Sequence, residues 1–358
     1  MIYYLLVLLL LPLLLNIKWH NKPIALCLSN SFLLVLFLLS ALRYNIGTDY
    51  INYVQQYQDV KALSFFDTNL EPVYFLFIKL TYYTTDNVQM LFILMAIIPL
   101  ISIYRFSSRK YDFVIFGVFL TVMYLSSYSL IRQVAAVSIL LLAAKESFKA
   151  ETKKPIIFVI LAACFHYSAL LFLPFIILKR FQVKMVVGIA ILMISWLLIV
   201  YVNLPELILK SSLLASTKYG VYANNMFNQE TDLGSGLGVL LKIMPSLVFI
   251  FSCSIFRWKD EDKKSYSLKL VLWLNYAFII FAMLSMKVHV FNRLVDFVIF
   301  VPVITVYCIL RHATNNHNKL ILTSIFMFLC FANYCLTIDR NTINEGGGLG
   351  ISPYQSIL

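Results

Sequence analysis

Apolar runs, rather than apolar stripes, dominate this chain. They lie near 3–17, 23–42, 88–104, 112–130, 133–148, 155–165, 168–178, 185–202, 237–256, 267–286, 294–310 and 320–337. A run of about 20 apolar residues is what a helix needs to cross the ~30 Å hydrocarbon core of a bilayer. In lipid, backbone groups must pair internally, so only helices and closed barrels can span. The runs do not alternate with period two, which disfavours a barrel. The expected fold is all-α: a polytopic membrane bundle of about 10–13 transmembrane or re-entrant helices. Charged residues make up 13% of the 358 positions, about half the share of a soluble domain. Residues 1–358 read as one integral membrane domain, and the first run, without a basic leader or small-residue cleavage site, as a retained helix.

Charge supplies a topology. The net charge of +12 would suggest nucleic acid in a soluble protein. Here most Lys and Arg gather in six short loops, at Lys18 and Lys22, Arg105–Lys110, Lys145–Lys154, Lys179–Lys184, Arg257–Lys264 and Arg311–Lys319. The positive-inside rule places these loops in the cytoplasm and removes the case for nucleic acid. Two acidic or neutral segments, 43–71 and 203–236, then lie outside. Parity fails at Pro72–Tyr83, because an odd number of crossings must separate loop 43–71 from Arg105. Either 72–83 is re-entrant or one side assignment is wrong; re-entry is favoured, since short broken helices often line cavities. There is no Walker motif and no room for a nucleotide-binding domain. The six cysteines form no CxxC pair and read as small apolar residues, with no metal or disulfide role.

Ionisable groups near membrane depth are costly and are functional candidates by default. Five elements collect them on the expected outer side. Arg43, Gly47 and Asp49 stand in RYNIGTDY, where Gly47 permits an unusual turn and Asp49 is either a helix cap or a functional carboxylate. Tyr50, Tyr53 and Tyr57 follow, as an interfacial belt or a sugar-stacking surface. Glu71 precedes Pro72, as a helix N-terminal charge or a general base. Arg132 and Gln133 interrupt an apolar hairpin. An arginine at a helix start opposes the helix dipole, which points to an anionic partner such as a phosphate held by the guanidinium fork; snorkelling to headgroups is the alternative. His166 lies in CFHYSALL between two short apolar helices, as a structural turn residue or a base that receives or orients a hydroxyl. Lys287, His289 and Arg293 form a basic group against the inside bias, with Asp296 one turn on, within pairing reach of Arg293.

Together these motifs resemble the EpsG-like branch of the Wzy polysaccharide polymerases. The resemblance rests on R-x-x-x-G-x-D-x-x-x-Y at Arg43, Gly47, Asp49 and Tyr53, on Glu71, on Ile131-Arg132-Gln133, on Phe165-His166-Tyr167-Ser168, on Arg293, and on the closing PYQSIL. It implies a glycosyltransferase of the bacterial inner membrane that polymerises oligosaccharide units carried on undecaprenyl diphosphate, for O-antigen, lipopolysaccharide, capsule or exopolysaccharide. The implied chemistry is inverting transfer without nucleotide, metal or other cofactor. Implied roles are His166, Asp49 and Glu71 in catalysis, Arg43, Arg132 and Arg293 at the diphosphate, and Tyr50, Tyr53, Tyr57 and Gln133 on the glycan. Arg132 and Arg293 are expected to converge on that diphosphate. The implied partners are the lipid-linked glycan, membrane lipid and a chain-length regulator protein.

Two other functions fit parts of the pattern. A ligase would use the same lipid-diphosphate chemistry with a different acceptor. A flippase for the same lipid needs charges through the middle of its helices, for which Lys242 and Lys269 are too few and too near the ends.

Overall fold

In a computed structural model the protein is almost entirely helical, with no strand among the described residues. These are residues 2–13, 22–107, 110–210, 236–256, 258, 265–339 and 349–357. Lys18, Arg109, Arg257, Lys259, Lys263, Lys264 and most of the 203–236 segment lie outside them. Six helices are long and apolar enough to cross a membrane. Four shorter apolar stretches accompany them, at 2–13, 112–128, 167–178 and 185–201. The chain is a polytopic helical membrane protein. Where the sequence reads as one domain, the contacts gather into two compact units, 1–176 with 330–358, and 177–329.

The first unit contains α1 (Ile2–Leu8), α2 (Lys22–Ala41), α3 (Tyr50–Val60), α4 (Pro72–Thr84), α5 (Val88–Phe106), α6 (Asp112–Phe119), α7 (Ile131–Glu146) and α8 (Lys153–Ala163). A π turn at Leu120–Tyr124 and a 3-10 turn at Leu125–Tyr128 continue α6. A second 3-10 turn, Tyr167–Phe172, leads into α9 (Leu173–Leu178). Helix α7 forms the core. It buries Ile131 and Gln133 through Leu141, its alanines letting α5 and α8 pack closely on either side.

Hydrogen bonds fix how these helices run. The Lys145 ammonium donates to the carbonyls of Arg105 and Phe106, both at 2.8 Å, so α5 and α7 finish side by side. Their starts therefore share the opposite end. There the Gln89 amide, at the start of α5, donates to the carbonyls of Ala41 and of Arg43, the latter at 3.3 Å. Helix α4 has 13 residues, about 20 Å at 1.5 Å per residue, too short for a flat bilayer. It begins against the start of α7 and leads through Asn87 into the start of α5. Both ends of α4 thus lie at one end of the unit.

The second unit contains α10 (Met185–Tyr201), α11 (Leu204–Leu209), α12 (Leu237–Ile255), α13 (Tyr266–Lys287), α14 (Asn292–Phe297) and α15 (Val301–His312). Helix α16 (Asn316–Asp339) belongs to this unit up to Leu329 and to the first unit beyond it. Helix α13 is central, packed by α10, α12, α14 and α15. Gly188 lets α10 approach closely, since an added Cβ would lie 2.0 Å from the Tyr276 hydroxyl. Helix α10 leaves Val186, Met193, Trp196 and Tyr201 exposed, as expected of a face that meets lipid.

Candidate active site

The sequence places Glu71, Arg132 and His166 at three separate turns. The fold brings them together. Glu71 is the residue before α4, with Pro72 filling the first helical position, where its missing N–H costs nothing. The Glu71 side chain makes no capping bond to α4. It turns instead toward α7 and the turn after α8. Its Oε2 accepts from Arg132 Nη1 at 2.9 Å, and its Oε1 lies 3.0 Å from His166 Nδ1. His166 has an extended backbone (φ −160°) before the 3-10 turn, and its side chain caps nothing, which frees the ring to reach Glu71. The Val73 N–H donates to the Cys164 carbonyl at 3.0 Å and ties the two turns together.

Exposure differs sharply within the group. The Glu71 side chain is 1% exposed, against 26% for Arg132 and 23% for His166. A buried carboxylate is costly unless paired. Burial raises the Glu71 pKa, but the His166 hydrogen bond and the Arg132 charge outweigh it and hold the group down at about 2. Glu71 is therefore an ionised acceptor. Facing it, His166 Nδ1 is placed to donate to this carboxylate. So weak a base as Glu71 is poorly suited to take a proton itself. As an ionised group directly before α4 it matches the helix-charge reading, while its two oxygens engage Arg132 and His166.

Arg132 finds its anionic partner in Glu71 of the same chain. Its guanidinium also lies 5.1 Å from the Tyr74 ring centroid and 6.0 Å from that of Tyr53. Tyr74, three residues after Glu71, and Ser168, two after His166, carry hydroxyls that are buried without a hydrogen-bond partner; the sequence showed both residues in these motifs but gave neither a role.

Tyr50, Tyr53 and Tyr57 do not present an open stacking surface. They form the inward face of α3. Tyr50 stacks on Phe92 at 4.8 Å, Tyr53 meets Tyr74 edge-on, and the Tyr57 hydroxyl donates to Asp86 at 3.0 Å. Gln133 is likewise buried in α7. Asp49 occupies the cap position of α3 but makes no side-chain capping bond. It accepts from Asn52 at 3.3 Å and stays partly exposed.

Arg43 is only 3% exposed. Its guanidinium lies between the rings of Phe92 and Tyr128, at 4.8 and 5.1 Å from their centroids. Nη1 reaches the Ser127 carbonyl at a long 3.5 Å, and Nε is buried without a partner. A small cavity adjoins it, lined further by Ser40, Met95, Pro99 and Ile131. Cation–π contacts are worth about 2 kcal/mol when desolvated, less than a buried cation costs unpaired. Gly47 has φ +101°, and a Cβ there would lie 2.2 Å from the Tyr128 carbonyl oxygen, so the turn needs glycine. Arg293 is in the second unit, on the first turn of α14, with Asp296 one turn on.

No curated protein and no solved structure matches the chain significantly. The EpsG family model matches residues 26–356, a span that takes in every residue of the candidate site. The family carries a membrane polysaccharide-polymerase-like role. With an all-helical membrane fold and a match over nearly its whole length, this chain belongs to the EpsG family.

Proposed function

We propose that this protein polymerises undecaprenyl-diphosphate-linked oligosaccharide units into surface polysaccharide at the outer face of the inner membrane. The observation that carries the reading is the buried Glu71 bridging His166 and Arg132. An ionised carboxylate behind the imidazole leaves His166 Nε2 as a base, and partial exposure makes the ring reachable. The acceptor is a sugar hydroxyl of a lipid-linked unit. Its oxygen attacks the anomeric carbon of the donor glycan and its proton passes to His166 Nε2. The bond from that carbon to the diphosphate breaks, and the electron pair leaves with the lipid diphosphate, inverting the anomeric centre. Glu71 stabilises the imidazolium as it forms. Charge develops on the departing diphosphate, where guanidinium groups stabilise it best. Arg132 has donors beyond the one given to Glu71. Arg43 offers an unpartnered Nε beside a cavity. Asp49 is a partly exposed carboxylate near the turn that carries Arg43.

The test is the glycan profile of a deletion strain. Loss of a polymerase leaves single-unit glycans on the surface. A complete absence of attached glycan would overturn the reading in favour of ligation or lipid transport.

A further inference from the structure

Residues 349–357 lie some 300 positions after Arg43 in the chain, yet they run alongside the segment that carries it. The Tyr44 N–H donates to the Gln355 carbonyl at 3.0 Å, and the Ile357 N–H donates to the Leu42 carbonyl at 2.9 Å. These two bonds flank Arg43 and Ser356, which stand directly opposite as an antiparallel bridge. Further along, the Gly47 N–H donates to the Gly350 carbonyl at 2.9 Å and the Thr48 N–H to the Leu349 carbonyl at 3.1 Å. The Ser129 hydroxyl donates to that same Leu349 carbonyl at 2.7 Å. Four backbone bonds thus tie residues 42–48 to 349–357, beside the Gln89 bond to the Arg43 carbonyl and a bond from the Thr48 N–H to the Ser129 hydroxyl at 3.1 Å.

A second route runs through side chains. The Tyr354 hydroxyl donates to the Leu39 carbonyl at 3.0 Å, and the Tyr3 hydroxyl donates to the Ile351 carbonyl at 2.7 Å. The Tyr3 ring packs edge-on against Tyr354 on one side and Tyr128 on the other, at 6.4 and 6.2 Å. Tyr128 in turn lies under the Arg43 guanidinium. The segment thus holds Arg43 from both directions, by its main chain and by the ring beneath its side chain.

We infer that residues 349–357 are a positioning element of the active site, which sets the place of the Arg43 guanidinium and of the Gly47–Asp49 turn. The inference rests on the reading of Arg43 as a contact of the departing diphosphate. A strap needed only for stability could bind anywhere on the bundle. This one binds opposite a buried cation that lacks a carboxylate partner among the described residues.

Gly350 gives access to the register. It has φ +58°, and a Cβ there would meet the Thr48 nitrogen at 3.2 Å. A β-branched residue is strongly disfavoured at that φ, so Gly350→Val should push the strap off the turn. Two readouts apply to purified protein in lipid, with Gly350→Ala as the milder variant if Gly350→Val does not fold. Hydrogen exchange reports the geometry: the amides of Tyr44, Gly47 and Thr48 should exchange faster. Polymer formation at matched amounts of folded protein reports the role, and a fall of about tenfold or more is expected. The decisive comparison is a double-mutant cycle. In an Arg43→Ala background Gly350→Val should change the rate less than about twofold, because its effect passes through Arg43. A full effect in that background, or wild-type activity in Gly350→Val whatever the exchange rates, overturns the inference. Full activity in Arg43→Ala alone overturns the reading of Arg43 beneath it, while leaving the exchange result to stand as geometry.

Discussion

Replacing Glu71 with Gln keeps the shape of the site and removes its charge. The carboxylate accepts from Arg132 at 2.9 Å and from His166 at 3.0 Å, and is 1% exposed. A glutamine offers one acceptor and one donor. If its oxygen serves Arg132, its NH2 faces the His166 Nδ1 proton. That contact is lost, or the ring changes tautomer and moves its proton to Nε2, where the acceptor's proton must go. Each charge-assisted hydrogen bond is worth about 1.5–3 kcal/mol. Losing one and weakening the other removes about 3–4 kcal/mol from a state in which His166 becomes cationic. Since each ~1.4 kcal/mol is one decade, polymer formation should slow by about 100- to 1000-fold. The binding of lipid-linked units should change little. The assay is polymerisation in proteoliposomes at matched folded protein, with KM and kcat separated. A Glu71→Gln enzyme within about threefold of wild type would refute the orienting role, because neither tautomer nor charge would then matter.

Further expectations concern stability, topology and the arginines. The Glu71 pKa is about 2 in the fold against an ordinary 4.5. Its contribution, ~3 kcal/mol at ~1.4 kcal/mol per unit, is therefore present above pH ~4.5 and fades as pH falls toward 2. Thermal unfolding of wild type and Glu71→Gln across that range should show the wild-type advantage vanish at the acid end. Arg132→Lys keeps the charge but loses the fork, so activity should fall about tenfold, and snorkelling alone would leave it unchanged. Gly47→Ala should destabilise the first unit by at least ~2 kcal/mol, through strain at positive φ and collision with the Tyr128 carbonyl. Phe66, 94% exposed, lies at the Glu71 end, and Glu151 lies just beyond the Lys145 end. In intact cells an impermeant thiol reagent should label Phe66→Cys but not Glu151→Cys.

The sequence revealed the members of the site better than their arrangement. Glu71, Arg132 and His166 each stood out as a charge or imidazole at the end of an apolar run, and the dipole argument for Arg132 pointed to an anion, with snorkelling as the alternative. That the anion is Glu71 depends on three turns separated by 61 and 95 positions, which no local periodicity encodes. Tyr50, Tyr53 and Tyr57 show the opposite case. Their spacing marks one face of a helix, but periodicity does not say whether an aromatic face turns in or out. Here Gln55, Gln58 and Asp59 take the outer side. PYQSIL was recognisable as a motif, yet its pairing with the Arg43 turn is a long-range contact of main-chain groups, invisible to side-chain patterns. The exceptional character of α4 was legible, since charge parity required there either a segment that does not cross or a different side assignment.

The central claim is that this chain makes polymer and that His166 is its base. Purified protein in proteoliposomes, given lipid-diphosphate-linked repeat units alone, should build a ladder of long glycans. His166→Ala, folded and embedded alike, should leave the units unextended. A wild-type protein that forms no ladder, or a His166→Ala protein that forms one at the wild-type rate, would contradict the account.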